Sequence, residues 1–407
     1  MRILAVNKFH YLRGGAERYF FEVNDLLRRA GHEVVVFSMR DPANLPSPQE
    51  PHFVSRVEFG GRPGPWQRLR GAARVVYSFE ARRRLTRLLR EVRPHLVHHH
   101  NIAHHLSPSV VDAAAAVHVP QVQTLHDYKL LCPVYLLMRG GRVCEECRGG
   151  RYRNLLRHRC NGGSLARSAV NYVESAWHAA RGTYRKMEVF LCPSTFQREA
   201  LARFGWPGER TALVPHFVRT AGVEPSPGEP RTAGYLGRLS AEKGLLVLLE
   251  ALRRAAPELP SGWSFLLAGD GPQRAALEAA AQGLPVRFLG SLDGPELVEF
   301  WRRVRFTVMP SRWYEVRPIA LHEAFARGKP ALGSDLGSIP ELVQPGRTGW
   351  LAPPGDVEAW AAALVRAFSE PEEALRLGRE ARRMAETELT PQRHLAALLA
   401  AYARARA

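Results

Sequence analysis

Short unbroken apolar runs alternate along this chain with longer stretches in which apolar residues recur every third or fourth position. Residues 3–6 (Ile-Leu-Ala-Val) form the first such run. Tyr11-Leu12-Arg13-Gly14-Gly15 follows, then a helical pattern over about 16–30, a Gly31-His32 stop and a second run at 33–37. Unbroken runs of this length suit strands covered on both faces, as in parallel sheets, and the helical period suits the segments that cover them. The opening therefore reads as β-α-β with a glycine pair at the first strand-to-helix turn. Further strands are expected at 95–98, 121–125 and 190–192. From 215 to 230 the composition turns to Pro, Gly and Glu, which marks a linker. A second series follows, with strands at 233–236, 265–268, 286–289 and 304–309 and helices at about 243–255, 273–282, 295–303 and 318–327. An Ala/Arg/Leu-rich helix is expected over 391–407. The pattern predicts an α/β chain of two doubly wound domains facing a central cleft, 1–215 and 216–390, followed by the helix 391–407.

Length and composition agree with this picture, because 407 residues suffice for two cores. No apolar run approaches the roughly 20 residues that span a bilayer. The opening Met1-Arg2-Ile3-Leu4-Ala5-Val6 is too short for the apolar core of a signal peptide, so a cytoplasmic protein is expected. Charge changes the picture more. Of 57 Lys/Arg, 33 lie up to Pro215, against 17 of the 39 Asp/Glu, so the first half holds nearly all of the net +18. Much of the excess falls between Arg62 and Arg93, with Trp66, Tyr77 and Phe79 interleaved. A basic helix with aromatics suits an anionic membrane surface, which points to peripheral attachment at the inner face, or a polyanionic acceptor. Nucleic acid is a weaker match, and a solvated Arg-rich face is the bland alternative.

The segment Glu315-Val316-Arg317-Pro318-Ile319-Ala320-Leu321-His322-Glu323 carries the most chemistry. It follows an apolar run and the turn Pro310-Ser311-Arg312, so it reads as strand, loop, helix. Pro318 suits the first helical position, and Gly328-Lys329-Pro330 stops the helix after about Arg327. Glu315 then sits on the loop and Glu323 more than a turn into the helix. The free N–H groups at the start of that helix, where Pro318-Ile319-Ala320 lie and Pro318 itself has none to give, form an anion site with a carboxylate on each side. That arrangement suits a nucleotide-linked sugar, with the diphosphate on the amides and hydroxyls on the acids. Hydrolytic carboxylate pairs stand about 5–9.5 Å apart across one bond. An eight-residue helical step is already about 12 Å, so this pair reads as positioning groups in a transfer reaction. Arg238 and Lys243, in Gly237-Arg238-Leu239-Ser240-Ala241-Glu242-Lys243-Gly244, place two cations at a strand's carboxyl end, where a diphosphate lies.

These motifs occur in a fixed order with Ala268-Gly269-Asp270-Gly271-Pro272, Phe288-Leu289-Gly290, Gly337-Ser338-Ile339-Pro340-Glu341-Leu342-Val343 and Gly346-Arg347-Thr348-Gly349-Trp350-Leu351. The series resembles the retaining glycosyltransferases of family 4, the group 1 glycosyltransferases with the GT-B fold. It covers the second domain almost end to end. The first domain matches more loosely, through Gly14-Gly15-Ala16-Glu17 and His126-Asp127. The resemblance implies two Rossmann-like domains, with the C-terminal helix crossing back onto the first. It implies that Glu323 binds the ribose hydroxyls of a UDP, GDP or ADP sugar and that Glu315 holds the transferred sugar. Arg238 and Lys243 bind the diphosphate and stabilise its departure. Phe288 and Leu289 mark the base-binding backbone, Gly14 and Gly15 let the first domain's backbone approach the donor, and His126 lies near the reacting sugar. It also implies that no metal is needed for transfer and that the configuration at the anomeric carbon is retained. The expected acceptor is a glycan or lipid-linked glycan of cell-surface synthesis. A small soluble acceptor and a non-catalytic polyanion binder are the alternatives.

His126 follows a strand, so on the residues alone it is either a donor to a sugar hydroxyl or half of a structural His–Asp turn. His98-His99-His100 and His104-His105 do not read as a metal cluster, because alternate strand residues point to opposite faces. Cys132, Cys144, Cys147 and Cys160 fall in a basic, Gly-rich insertion at about 130–162 with spacing C-x11-C-x2-C-x12-C. A structural zinc is expected there, with an iron–sulfur cluster as the lesser alternative and four plain thiols as the bland one. Cys192, in an apolar strand, reads as a core thiol.

Overall fold

Two six-stranded sheets with only parallel pairings organise the chain, and both follow from the unbroken apolar runs. The computed structural model describes residues 1–56 and 64–407, so Arg62, where the basic stretch begins, lies outside the described residues. The chain divides into two units. One comprises Met1–Leu137, Cys144–Val214 and Leu395–Ala407; the other comprises Met138–Val143 and Pro215–His394.

In the first unit the order is β1 (Arg2–Val6), α1 (Gly15–Arg29), β2 (Glu33–Phe37), α2 (Pro65–Val76), α3 (Phe79–Val92), β3 (Leu96–His99), α4 (Ser109–Ala115) and β4 (Gln121–Thr124). A small antiparallel hairpin that counts with the other unit, β5 (Met138–Arg139) and β6 (Arg142–Val143), precedes α5 (Asn154–His158), α6 (Leu165–Ala180), β7 (Val189–Cys192), α7 (Thr195–Arg203) and β8 (Thr211–Leu213). The sheet runs β2-β1-β3-β4-β7-β8, so the strand order reverses between β1 and β3. Both faces are covered: Ile3, Leu4, Ala5 and Val6 have no exposed surface. Ser78 and Ser164 accept the amides of Ala81 and Arg167, which starts α3 and α6 where the sequence offers a capping hydroxyl.

The second unit runs β9 (Thr232–Leu236), α8 (Leu245–Ala255), β10 (Ser264–Ala268), α9 (Arg274–Ala280), β11 (Val286–Gly290), α10 (Gly294–Arg303), β12 (Phe306–Met309), α11 (Ile319–Ala326), β13 (Ala331–Ser334), β14 (Gly349–Ala352), α12 (Val357–Ser369) and α13 (Pro371–Thr387). Its sheet order, β11-β10-β9-β12-β13-β14, is the doubly wound dinucleotide-binding order. Alternate strand residues feed two cores. Tyr235, Phe265, Leu267 and Phe306 pack with α8 and α12, while Leu266, Met309 and Ala331 pack with α10, α11 and α13. The last helix, α14 (Pro391–Arg406), changes unit after His394. Its buried Tyr402 hydroxyl lies 2.7 Å from His98 Nδ1 in the first unit.

Candidate functional site

A doubly wound sheet binds ligands beyond the carboxyl ends of its strands, where the order reverses. In the second unit that point lies between β9 and β12. The two strands pair only at Phe306–Ala233 and Thr307–Gly234, so their last residues are not paired with each other. The loop after β9 is tied to the loop after β10: Gly237 N donates to Ala268 O at 3.0 Å and Leu239 N to Asp270 O at 2.9 Å. The approach is so close that a Cβ on Gly269 would stand 1.8 Å from Gly237 O. The same holds for Gly244, whose φ of 71° is left-handed and whose Cβ would stand 2.0 Å from Pro310 O. Glycine is therefore required where the β9 loop meets the β12 loop.

That meeting brings the charges together. Lys243 Nζ donates to Glu315 Oε1 at 2.7 Å. The same oxygen accepts from the Ser311 hydroxyl and from Trp313 Nε1, the latter at 2.9 Å. The Lys243 ammonium also stands 5.2 Å from the centre of the Trp313 ring. Glu315 is buried and Lys243 half-buried, while Arg238 is exposed at the rim. One expectation is corrected here. Lys243 does not open a helix: it ends a 3-10 turn (Ala241–Lys243), and α8 starts only at Leu245 because Gly244 turns left-handed between them. The β9 and β12 loops are neighbours, so Lys243 and Glu315, expected to meet phosphate and sugar, stand side by side and their opposite charges pair.

Pro318 is the N-cap of α11 rather than its first helical residue, with φ −72° and ψ 113°. The ring sets φ but leaves ψ extended. Ile319 and Ala320 thus supply the first helical amides, which lack intrahelical acceptors. Glu323 is buried in the second turn of this helix. His322 Nδ1–H donates to Pro318 O at 3.1 Å, and burial, then the charge of Arg317, holds its pKa down to about 3. Arg317 itself is paired with Glu341 at 3.0 Å. Phe288 and Leu289 end the edge strand β11, half-buried.

In the first unit the corresponding loops follow β1, β3 and β4. Gly14 caps α1 with φ −172°, a conformation open to any residue, and a Cβ there meets only Glu17 Oε2 at 3.8 Å. Gly14 is thus not demanded by the local fold; it and Gly15 leave the rim bare. His126 does not pair with Asp127. Its Nε2 lies 3.1 Å from His100 Nδ1, with the two rings stacked at 5.4 Å. Asp127 instead accepts the Lys129 amide at 2.8 Å. Burial, then the charge of Lys8, holds the His126 pKa down to about 3, so the ring is neutral near pH 7. Of the other histidines, His98 Nε2 meets Thr124 and His99 Nε2 meets Gln121, on opposite faces of the strand. His100 and Lys8 were missed by the sequence reading, because only the order β1-β3-β4 brings them to His126. Ser311 and Trp313 were missed too, although their place within four residues of Glu315 was a usable signal.

The four cysteines of the insertion lie in the first unit, and no disulfide joins any of the five cysteines, all of them among the described residues. Burial foremost, then the neighbouring Cys132, Cys160 and Cys144 in that order, pushes the Cys147 thiol up to about 12. Among the described residues, no three His, Cys, Asp or Glu side chains stand at metal-holding spacing, and no helix is long and apolar enough to cross a membrane.

Residues 13–221 match the family model described as Glycosyltransferase Family 4, and residues 230–370 match the one described as Glycosyl transferases group 1. The chain is 29% identical to the glycogen synthase of Mycobacterium tuberculosis, over 94% of this chain and 89% of that protein. In fold it is similar to sucrose-phosphate synthase from Thermosynechococcus elongatus, with a TM-score of 0.71, 19% identity and coverage of 99% and 98% of the two chains. It is similar also to Anabaena Alr3699/HepE solved in complex with UDP-glucose, with a TM-score of 0.68, 18% identity and coverage of 98% and 99%.

Proposed function

Since this chain belongs to glycosyltransferase family 4 and has the GT-B fold, we propose that it moves a hexose from a nucleoside-diphosphate sugar to a glycan or lipid-linked acceptor, with retention at the anomeric carbon. The observation that carries this reading is the Lys243–Glu315 pair at the strand-order reversal, backed by Ser311 and Trp313. A half-buried ammonium held by a single carboxylate oxygen can exchange that partner for a phosphate oxygen without leaving its place. The Glu315 carboxylate then turns to sugar hydroxyls, kept in position by Ser311 and Trp313. Arg238, at the rim, takes the second charge of the diphosphate, and the amides of Ile319 and Ala320 complete its cradle. Glu323 takes the ribose hydroxyls, and the backbone at Phe288–Leu289 lines the base. As the glycosidic bond breaks, negative charge grows on the diphosphate, and prearranged donors stabilise that state more than the bound substrate. No protein group is asked to be a metal ligand in this scheme.

On the first unit we assign the acceptor side to His126 and to the Gly14-Gly15 rim. A neutral imidazole can donate to or accept from a hydroxyl, and its contact with His100 sets which nitrogen faces the ligand. Uridine nucleotides are the first donors to try, since a structure similar in fold was solved with UDP-glucose. A thermal-shift series with UDP, GDP, ADP and their sugars tests the reading. The matching nucleotide at 100 times its dissociation constant should add about 2.7 kcal/mol of stability. Lys243→Ala and Glu323→Ala should lose both that shift and sugar transfer, and nuclear magnetic resonance of the product should show the donor's anomeric configuration. Transfer at the wild-type rate by either variant would sink the assignment.

A further inference from the structure

The donor reading uses the carboxyl ends of the second sheet. The opposite, amino-terminal edge of that sheet carries two cations that it leaves unused. Arg305 leads into β12 and Lys329 into β13. These strands pair in parallel from Thr307–Ala331 onward, so each cation stands two positions before that first pair. The two-residue period of a strand puts both on one face, and neighbouring strands lie about 4.8 Å apart. It is the face of Met309 and Ala331, covered by α10, α11 and α13. Both side chains are shut in: Lys329 has no exposed surface and Arg305 only 5%.

The chain over 225–232 roofs this edge. Lys329 Nζ donates to Ser226 O at 2.7 Å and to the Ser226 hydroxyl at 2.9 Å. Two residues on, Gly228 lies so close that a Cβ would stand 2.2 Å from Val304 O and 2.8 Å from the Arg305 Cα. The short span 226–228 therefore touches both cationic residues. The carbonyls around it are already used. Thr232 O accepts Arg305 N at 2.7 Å, Arg303 O accepts Glu229 N at 2.8 Å, and Trp301 O accepts the Ser226 hydroxyl at 3.4 Å. Nε and Nη1 of Arg305 are buried and reach no acceptor among the described residues. The carboxylates nearby are elsewhere engaged or turned outward. Glu229 pairs with Arg303 at 2.9 Å, and Glu372, whose charge reaches Arg305, is exposed in the first turn of α13.

A buried charge is ordinarily paired, and a buried charged donor without an acceptor destabilises the fold. Burial, then the charges of Arg305 and Arg327, holds the Lys329 pKa down to about 7, as expected of cations packed together without a counter-charge. We propose that the amino-terminal edge of the second sheet binds one phosphate-type oxyanion between Arg305 and Lys329, at the opposite end of β12 from the donor site. Three donors are left for it: Nε and Nη1 of Arg305, and the one ammonium hydrogen that Lys329 does not give to Ser226. A tetrahedral oxyanion accepts from several directions at once, and its charge offsets that of both side chains. Bound there, it ties the starts of β12 and β13 to the roof that covers them.

Thermal unfolding and calorimetry of the full chain in chloride buffer, with inorganic phosphate and a hexose phosphate titrated in separate arms, test this. The donor site would also take phosphate, so Lys243→Ala is the background, in which binding and a raised melting temperature should persist. Tighter binding of inorganic phosphate makes the free anion the ligand; tighter binding of the hexose phosphate makes it the phosphoryl group of an ester. Adding Arg305→Met should weaken binding about tenfold or more. It should not lower the melting temperature without phosphate, because it removes a buried unpaired charge. Should that variant fail to fold, hydrogen exchange on the unmutated chain serves instead: phosphate should protect the amides of 225–232. No shift with either anion in Lys243→Ala would overturn the proposal. So would an equal shift after Arg305→Met, lower melting of that variant without phosphate, or protection confined to 237–244 and 315–320.

Discussion

Single residues here are tuned mainly by burial. His322 and His394 are held neutral, at about 3 and about 4 respectively, against 6.5 for an exposed imidazole, with burial the leading cause in each. A folded-state pKa below the unfolded one means that the unfolded chain binds the extra proton. The stability is therefore complete above pH 6.5 and is lost as pH falls toward 4. At pH 5 each buried neutral histidine should cost about 2 kcal/mol. Urea unfolding followed by tryptophan fluorescence at pH 7.5 and pH 5 measures this loss. His322→Gln should be less stable at pH 7.5 but should lose about 2 kcal/mol less on acidification; an unchanged slope would show that His322 is not held neutral. His126 is neutral by the same cause, so its titration should not shape the rate between pH 5 and 8. The residue types at these places were readable in the sequence. Their partners were not, because His100 and His126 are 26 positions apart and only strand order joins them.

At the scale of elements, the site is made by loops that could not meet without glycine. Gly244 is left-handed and has Pro310 O where a Cβ would stand, at 2.0 Å; Gly346 is left-handed at 75° with open space around it. Gly346→Ala should therefore cost about 1–2 kcal/mol from backbone strain alone and leave donor binding intact. Gly244→Ala must also push the β12 loop away, which displaces Lys243 from Glu315. It should melt well below Gly346→Ala and lose the nucleotide-induced shift. Equal melting and equal binding by the two variants would show that the loop contact does not matter. The helix at Pro318 teaches the same lesson on a smaller scale. The proline announced the helix start to within one residue, yet its own ψ, set by the loop, placed it just outside.

At the scale of the whole molecule, charge and exposed apolar surface gather on the first unit. Along α3, Phe79 with Arg82, Arg83, Arg87 and Arg90 lines one open concavity, and Phe79 is 76% exposed, as is Trp66 of α2 at 78%. Arg84 is not part of this face: it is tied to Glu80 and to Pro51 O, at 2.9 and 3.0 Å. We propose that this face meets an anionic membrane carrying a lipid-linked acceptor. Vesicles containing anionic lipid should sediment the protein at low salt and release it as salt shortens the screening length from about 10 Å toward 3 Å. Neutralising Arg82, Arg83 and Arg90 together should weaken binding about 100-fold, at about 1 kcal/mol for each charge, while Arg84→Gln should not. Equal loss from both variants, or no sedimentation at low salt, would favour a soluble acceptor.

By itself the sequence determined the β/α alternation, the family motifs and the residue types in the loops after β9 and β12. Each of these rests on short-range rules: strand runs, helix periods, turn residues and charge at a strand's end. The tertiary structure decided which of them meet. The reversal of strand order between β9 and β12 put Lys243 against Glu315, and the order β1-β3-β4 put His100 against His126. The two glutamates, eight positions apart, show the division. Their spacing said that they were not a hydrolytic pair, but only the packing of one loop on another gave Glu315 a lysine, a serine and a tryptophan to hold it. Contacts of that kind depend on chain returning over 72 residues, a distance no local pattern encodes.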